Sequence, residues 1–209
     1  MDKLNFSTAV KTLIVCTFFT AMVNGETLAK HLLNQTIVPH NQNAGGASSD
    51  EKHAVNEITS ITVTAVELTD NTGLVYIGGV VDKAELTSYL TQMKGILGDE
   101  FGHFRQAQKA RDHHQFHVTL INPFELKELK SQDVTSILSK QQALTFKLDG
   151  LGRVSKKQSH AYFVVAQSKE AQLLRNNLQL KNKDFHITLG FSPNDVFGIA
   201  KDRTSLVIK

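Results

Sequence analysis

Two stretches of the chain alternate apolar and polar side chains in the same order. The first is 116–120, with the sequence FHVTL, and the second is 185–189, with the sequence FHITL. Such alternation is typical of a half-buried β-strand, on which successive side chains point to opposite faces. The pattern therefore predicts two strands, each with a histidine and a threonine on one face and three apolar side chains on the other.

The rest of the chain from residue 58 onward alternates predicted strands and helices. Runs rich in branched aliphatic residues predict strands at 58–68, 74–81, 144–148, 161–166 and 205–208. Apolar residues at helical spacing predict helices at 82–97, 125–129 and 132–138, and another that begins after Ser168. The polar stretch 101–114 predicts a loop. Because the order strand–strand–helix–strand occurs twice, we expect an α+β fold with antiparallel sheets.

The duplicated motif carries the candidate chemistry. A single histidine on a strand is more often a hydrogen-bonded structural residue, but here the polar positions repeat together with the apolar ones. If His117 and His186 meet, one neutral and one protonated imidazole could act as general base and general acid at a phosphorus atom. Thr119 and Thr188 could then donate hydrogen bonds to the phosphate oxygens. This arrangement favours phosphodiester hydrolysis, or the reverse ligation, with a 2′,3′-cyclic phosphate as substrate.

At these residues the chain resembles the 2H phosphoesterase superfamily, whose members carry two His-x-Thr motifs. The run KDFHITLGFSPNDVFG at 183–198 is similar to the branch called Swiss Army Knife RNA repair-like proteins. That branch has a histidine where Phe197 stands, so the chain departs from the family pattern there. The resemblance covers about 58–209. It implies a two-lobed, pseudo-symmetric fold of antiparallel sheets with flanking helices, in which a motif strand from each lobe lines a central groove.

The N-terminus predicts export. Lys3 and Lys11 precede a short apolar run at 12–23, and small residues follow up to Gly25, so 1–25 is typical of a secretory signal peptide cleaved near Gly25. This predicts a secreted or periplasmic protein without a stable membrane span; an uncleaved N-terminal anchor is the alternative. Residues 26–57 are small and polar without periodicity, which predicts a flexible linker before a domain at 58–209. Cys16, the one cysteine, falls within the predicted signal peptide.

The composition narrows the choice of partner. A net charge of +3 is too small to indicate wholesale binding of long nucleic acid, so we expect a small nucleotide or an RNA end as substrate and a monomeric protein.

No cluster of carboxylates indicates a two-metal site, which predicts a phosphodiesterase with no cofactor and no metal. Tyr162 and Phe191 are candidate surfaces for stacking a base, although aromatic residues in strands are more often core. Lys201 and Arg153 could meet phosphate or lie on the solvated surface.

Two alternatives of other classes remain open. The chain could bind a nucleotide or an RNA end without turning it over, or it could be a secreted protein that binds transition metals through its nine histidines.

Overall fold

Seven strands arise from the alternating and β-branched segments. The computed structural model describes residues 59–207, so the predicted signal peptide and the whole of the predicted linker lie outside the described residues. The strands are β1 (Ser60–Thr64), β2 (Val66–Thr69), β3 (Val75–Val81), β4 (Phe116–Ile121), β5 (Ala143–Lys156), β6 (Ser159–Gln167) and β7 (Phe185–Ser192). Both motif strands, β4 and β7, are therefore confirmed. The predicted closing strand is wrong: a short 3₁₀ turn (Arg203–Ser205) stands there, followed by a single bridge from Leu206 to Gly152.

Five α-helices lie between these strands in residues 59–207, and capping side chains mark the beginning of some of them. They are α1 (Thr87–Leu97), α2 (Phe101–Arg111), α3 (Pro123–Glu128), α4 (Ser131–Lys140) and α5 (Lys169–Asn177). Asp82 caps the 3₁₀ turn that leads into α1, and Ser168 caps α5 by accepting a hydrogen bond from the amide of Ala171 at 3.0 Å. None of the helices in residues 59–207 is long and apolar enough to cross a bilayer.

The prediction of a loop at 101–114 is wrong, because α2 occupies most of it. This helix has few apolar residues, and it buries the polar side chains of Arg105 and Gln108 beside Phe104. Arg105 donates a hydrogen bond to the Gln108 side chain at 2.7 Å and another to the carbonyl of Leu189 on β7. The sequence suggested that these polar side chains face solvent, but hydrogen bonds within α2 and to β7 allow them to be buried.

All seven strands belong to one antiparallel sheet, in the order β1-β5-β6-β7-β4-β3-β2. The α+β class and the antiparallel pairing are therefore confirmed. The described residues do not show two lobes with a groove between two sheets, because the motif strands β4 and β7 pair directly at the middle of a continuous sheet. The physical reason is that each motif strand still has an unpaired edge after pairing with its own hairpin, and the two edges satisfy each other.

The sheet curls into a half-barrel, so that β1 near one edge lies against β3 near the other. Gly79 on β3 makes this approach possible. A Cβ atom at this position would lie 2.3 Å from Cγ2 of Val63 on β1, far inside a normal contact. The main core fills one face of the sheet, beneath α1 and α2, and includes Val118, Ile187 and Phe146.

Candidate active site

The two motif strands hold their polar side chains on one face of the sheet. Val118 of β4 pairs with Ile187 of β7 in antiparallel register, and both side chains are fully buried in the core. In an antiparallel pair, each step forward on one strand matches a step back on the other. The register therefore sets each histidine opposite the threonine of the other motif, on the side of the sheet away from the core.

This face, which we call the site face, carries a compact group of four side chains. His117 lies opposite Thr188, and His186 lies opposite Thr119. Neighbours across such a pair have Cβ atoms roughly 5 Å apart, and diagonal neighbours such as the two histidines are at most ~7–8 Å apart. Neither threonine hydroxyl has a hydrogen-bond partner within residues 59–207, so both are free to donate to a substrate.

Tyr76 of β3 orients the first histidine. Its hydroxyl lies 3.4 Å from Nδ1 of His117, and the two ring centroids are 5.0 Å apart. Since Nδ1 has this partner, Nε2 is the nitrogen left for a substrate. The phenol itself stays protonated, because burial, and then the nearby Asp112, raises the pKa of Tyr76.

The second histidine is held by packing. The ring of His186 stands edge-on to Phe163 of β6, with centroids 5.6 Å apart. Its Nδ1 is buried and has no hydrogen-bond partner among the described residues. Lys201 Nζ lies 5.7 Å from the centre of the same Phe163 ring, so a cation stands on the histidine's side of the sheet.

A network of charged side chains borders the histidines. Arg111, at the end of α2, donates two hydrogen bonds to Asp112, at 2.6 and 2.8 Å, and also bonds to Asp195. Asp195 in turn accepts a hydrogen bond from Lys201 at 3.0 Å. Lys183 stands three residues before His186 and forms no ion pair within 4 Å in the described part of the chain. With Lys183 added to Arg111 and Lys201 of the network, three cations and two carboxylates border the site, which suits an anionic substrate.

The two imidazoles have different charged side chains near them. Each ring keeps some accessible surface but is crowded by protein on its other sides. Burial lowers the pKa of His117 to about 4, against an opposing effect of Asp112. Burial, and then the charges of Lys201 and Lys183, lowers the pKa of His186 well below its ordinary value. Both imidazoles are therefore neutral in the free protein at pH 7, and Asp112 and Asp195 act against the lowering of the pKa at His117.

The comparison with known families agrees with this geometry. Residues 85–197, more than half of the chain, match the family model described as Swiss Army Knife, 2H phosphoesterase domain. The chain belongs to this family. Membership implies a phosphoesterase acting on a nucleotide-type substrate. No curated protein and no solved structure gives a significant match to the chain.

The 2H phosphoesterase domain places the two predicted stacking residues differently. Tyr162 lies on the core side of the sheet, 2% exposed and edge-on to Phe104, so neither ring face is open to a base. Phe191 is buried on the site side, and the Arg111 guanidinium lies 4.8 Å from its ring centre. By contrast Phe197, where the family branch has a histidine, is 69% exposed and lies 5.9 Å from Lys201 Nζ.

The two basic residues that were candidates for phosphate binding lie on opposite sides of the sheet. Lys201 is buried beside the histidines of the phosphoesterase, and burial lowers its pKa against the opposing effect of Asp195. Arg153 is exposed, with its guanidinium 5.6 Å from the centre of the Tyr162 ring on the core side. Within residues 59–207, no three His, Cys, Asp or Glu side chains are grouped so as to hold a metal ion.

Sequence reasoning missed several parts of the phosphoesterase site, namely Tyr76, Asp112, Asp195 and Lys183. Tyr76 lies in an apolar run and Asp195 in a turn, and no pattern distinguishes either from ordinary core or surface. Neither of the two large cavities in the described part of the chain is lined by His117 or His186: one, of about 750 Å³, is lined by Lys183 near the beginning of β7, and the other, of about 930 Å³, lies against α1 and α2. The register of β4 and β7, and not a cavity, brings the two histidines together.

Proposed function

We propose that this protein is a metal-independent phosphodiesterase that hydrolyses cyclic phosphates, either 2′,3′-cyclic nucleotides or RNA ends of that type. The observation that supports this most directly is the pairing of Val118 with Ile187, which brings two His-x-Thr motifs together on the site face. Two imidazoles and two hydroxyls whose Cβ atoms lie within ~8 Å of one another can surround one phosphorus atom. Lys201 and Lys183 add positive charge on the side of His186.

The two histidines take different roles in this proposal. His186, close to Lys201 and Lys183, stays neutral, and its Nε2 removes a proton from the attacking water as general base. His117, with Tyr76 on its Nδ1 and Asp112 and Asp195 nearby, is the imidazole more easily protonated once an anionic phosphate binds. Water oxygen bonds to phosphorus, the bond from phosphorus to one ribose oxygen breaks, and His117 delivers a proton from Nε2 to that oxygen. Exchange with solvent restores both protonation states.

The remaining side chains stabilise charge. Thr119 and Thr188 donate hydrogen bonds to the non-bridging oxygens, where negative charge builds up in the transition state. The exposed ring of Phe197 is available to stack the base of the substrate. Because residues 1–25 are predicted to be a signal peptide, we also propose that the protein acts outside the cytoplasm.

The test compares the wild type with His117→Ala and His186→Ala on a nucleoside 2′,3′-cyclic phosphate. Each variant should lose about 10²–10⁴-fold in kcat, the usual contribution of a general acid or base. A diester with a nitrophenol leaving group needs no proton on departure, so it should restore the rate of His117→Ala and not of His186→Ala. Equal rates in all three proteins would reject the function, and tight binding of the nucleotide without turnover would indicate a binding module instead.

Metal independence is checked in the same assay. Treatment with a chelator should leave the rate unchanged, whereas loss of activity that one divalent ion restores would contradict it.

A further inference from the structure

A cavity of about 750 Å³ adjoins the site at the beginning of β7. Val165 lines its wall and is the residue of β6 that pairs with His186. Lys183 lines the cavity as well, three residues before His186. The cavity, which we call the flanking cavity, is therefore the space next to the general base, on the side where β7 begins.

The lining of the flanking cavity is cationic. Four basic side chains line it, against two acidic ones: Lys147, Lys169, Lys183 and Arg203, against Asp184 and Asp202. The carboxylate of Asp202 accepts hydrogen bonds from the amide and hydroxyl of Thr204, at 2.8 and 2.6 Å, so the local turn already uses it. An anion entering the cavity therefore meets more positive charge than negative.

Within the described residues, the four basic side chains of the flanking cavity form weak ion pairs or none. Lys169 and Lys183 form no ion pair within 4 Å in residues 59–207. Lys147 and Arg203 approach Asp149 only to 3.8 and 3.7 Å, beyond hydrogen-bond distance. One oxygen of Asp149 is buried and accepts no hydrogen bond among the described residues. Binding an anion here would not require breaking a strong ion pair first.

The same cavity has an apolar wall. Leu173 of α5, which is 60% exposed, and the buried Val165 both line it. An apolar surface beside cations, next to a phosphate site, matches the chemistry of one nucleotide unit, which combines a flat base with a phosphodiester.

We propose that the flanking cavity binds the nucleotide unit adjacent to the cyclic phosphate, so that the preferred substrate is an oligoribonucleotide end and not a mononucleotide. This rests on the proposed function, because it assigns the second subsite of the same reaction. Lys169 and Arg203 contact the internal phosphodiester, and Leu173 packs against the flanking base. These residues select the substrate and take no part in bond breaking.

The experiment compares adenosine 2′,3′-cyclic phosphate with the dinucleotide ApA that ends in a 2′,3′-cyclic phosphate. The wild type should show a kcat/KM about tenfold higher for the dinucleotide, equivalent to about 1.4 kcal/mol. The double variant Lys169→Gln/Arg203→Gln should abolish this preference while leaving the mononucleotide rate unchanged. Lys127→Gln/Lys130→Gln, which removes two exposed lysines outside the flanking cavity, is the matched control and should keep the preference.

A binding measurement distinguishes failure of the proposed subsite from failure of the proposed phosphodiesterase activity. ApA with a 2′-phosphate end, which cannot be hydrolysed by the proposed reaction, is titrated against the same proteins, with the corresponding mononucleotide beside it. Weaker dinucleotide binding in Lys169→Gln/Arg203→Gln supports the subsite even if no protein turns over either substrate, an outcome that would reject the function alone. Equal turnover of both substrates by the wild type, or equal dinucleotide binding by wild type and double variant, would overturn the subsite.

Discussion

The hydroxyl of Tyr76 lies 3.4 Å from Nδ1 of His117, on the strand next to the first motif. This contact leaves Nε2 of the imidazole as the nitrogen that meets a substrate. When His117 is protonated, its Nδ1–H can donate to the phenol oxygen, which stabilises the charged form. The buried Nδ1 of His186 has no equivalent partner among residues 59–207. The two halves of the site are therefore chemically unequal, although their motifs are almost identical.

Tyr76→Phe removes that acceptor and keeps the ring. We expect kcat/KM for a 2′,3′-cyclic phosphate to fall about tenfold, because hydrogen bonds to charged groups contribute about 1.5–3 kcal/mol and this one is long. The limb of the pH–rate profile that belongs to the acid should also move to lower pH. Tyr162→Phe, on the core side of the sheet, should keep the wild-type profile. A fall in rate with no movement of the profile would mean that Tyr76 only supports packing.

The buried histidines predict a stability that depends on pH. Burial lowers the pKa of His117 to about 4, so between pH 6.5 and 4 the unfolded chain binds a proton that the native protein does not. Above pH 6.5 His117 therefore does not lower the free energy of unfolding, and this free energy falls as the pH is lowered from 6.5 towards 4. Lowering the pH from 7 to 5 should cost about 2 kcal/mol through His117 alone.

Urea unfolding followed by circular dichroism measures this dependence. His117→Gln should lose less stability than the wild type between pH 7 and 5, by about 2 kcal/mol. His103→Gln removes an exposed histidine from α2 and controls for the loss of a histidine as such. Parallel stability curves for wild type and His117→Gln would contradict the prediction.

A buried arginine joins α5 to the first motif strand. The guanidinium of Arg175, 1% exposed, donates to the carbonyls of Leu120 and Lys181, each at 2.6 Å, and to both carboxylate oxygens of Glu125, at 2.7 and 3.0 Å. We expect Arg175→Met to lower the free energy of unfolding by about 3–5 kcal/mol, since it leaves these acceptors unpaired. Arg153→Met, at an exposed arginine, should cost less than about 1 kcal/mol. A similar small cost for both variants would show that the buried bonds contribute little.

The closure of the half-barrel is tested at Gly79. A Cβ atom there would lie 2.3 Å from Val63 Cγ2, so Gly79→Ala should destabilise the protein by about 1–3 kcal/mol. Val63→Ala removes both Cγ atoms of the facing side chain. The double variant Val63→Ala/Gly79→Ala should therefore lose less stability than the sum of the two single variants, as unfolding experiments would show. Strict additivity would mean that the two strands separate freely.

The sequence was sufficient for features that depend on local pattern. Alternation in 116–120 and 185–189 predicted both motif strands and the face that each histidine shares with its threonine. The pairing of Val118 with Ile187 was not predictable, because register depends on which strands become neighbours. Helix α2 was misread because Arg105 finds its partner on Leu189, 84 positions away. The charged network was missed for the same reason, since Arg111 and Asp195 are equally far apart in the chain.

The direct pairing of β4 with β7 has a mechanical consequence for the enzyme. Both imidazoles are fixed to adjacent rungs of one hydrogen-bonded ladder, so no hinge runs through the space between them. The separation of the two imidazoles is thus set by the pairing of the two strands. Any adjustment to different substrates falls to the surrounding segments, such as the one that carries Phe197 and Lys201, while the catalytic pair acts as a rigid template.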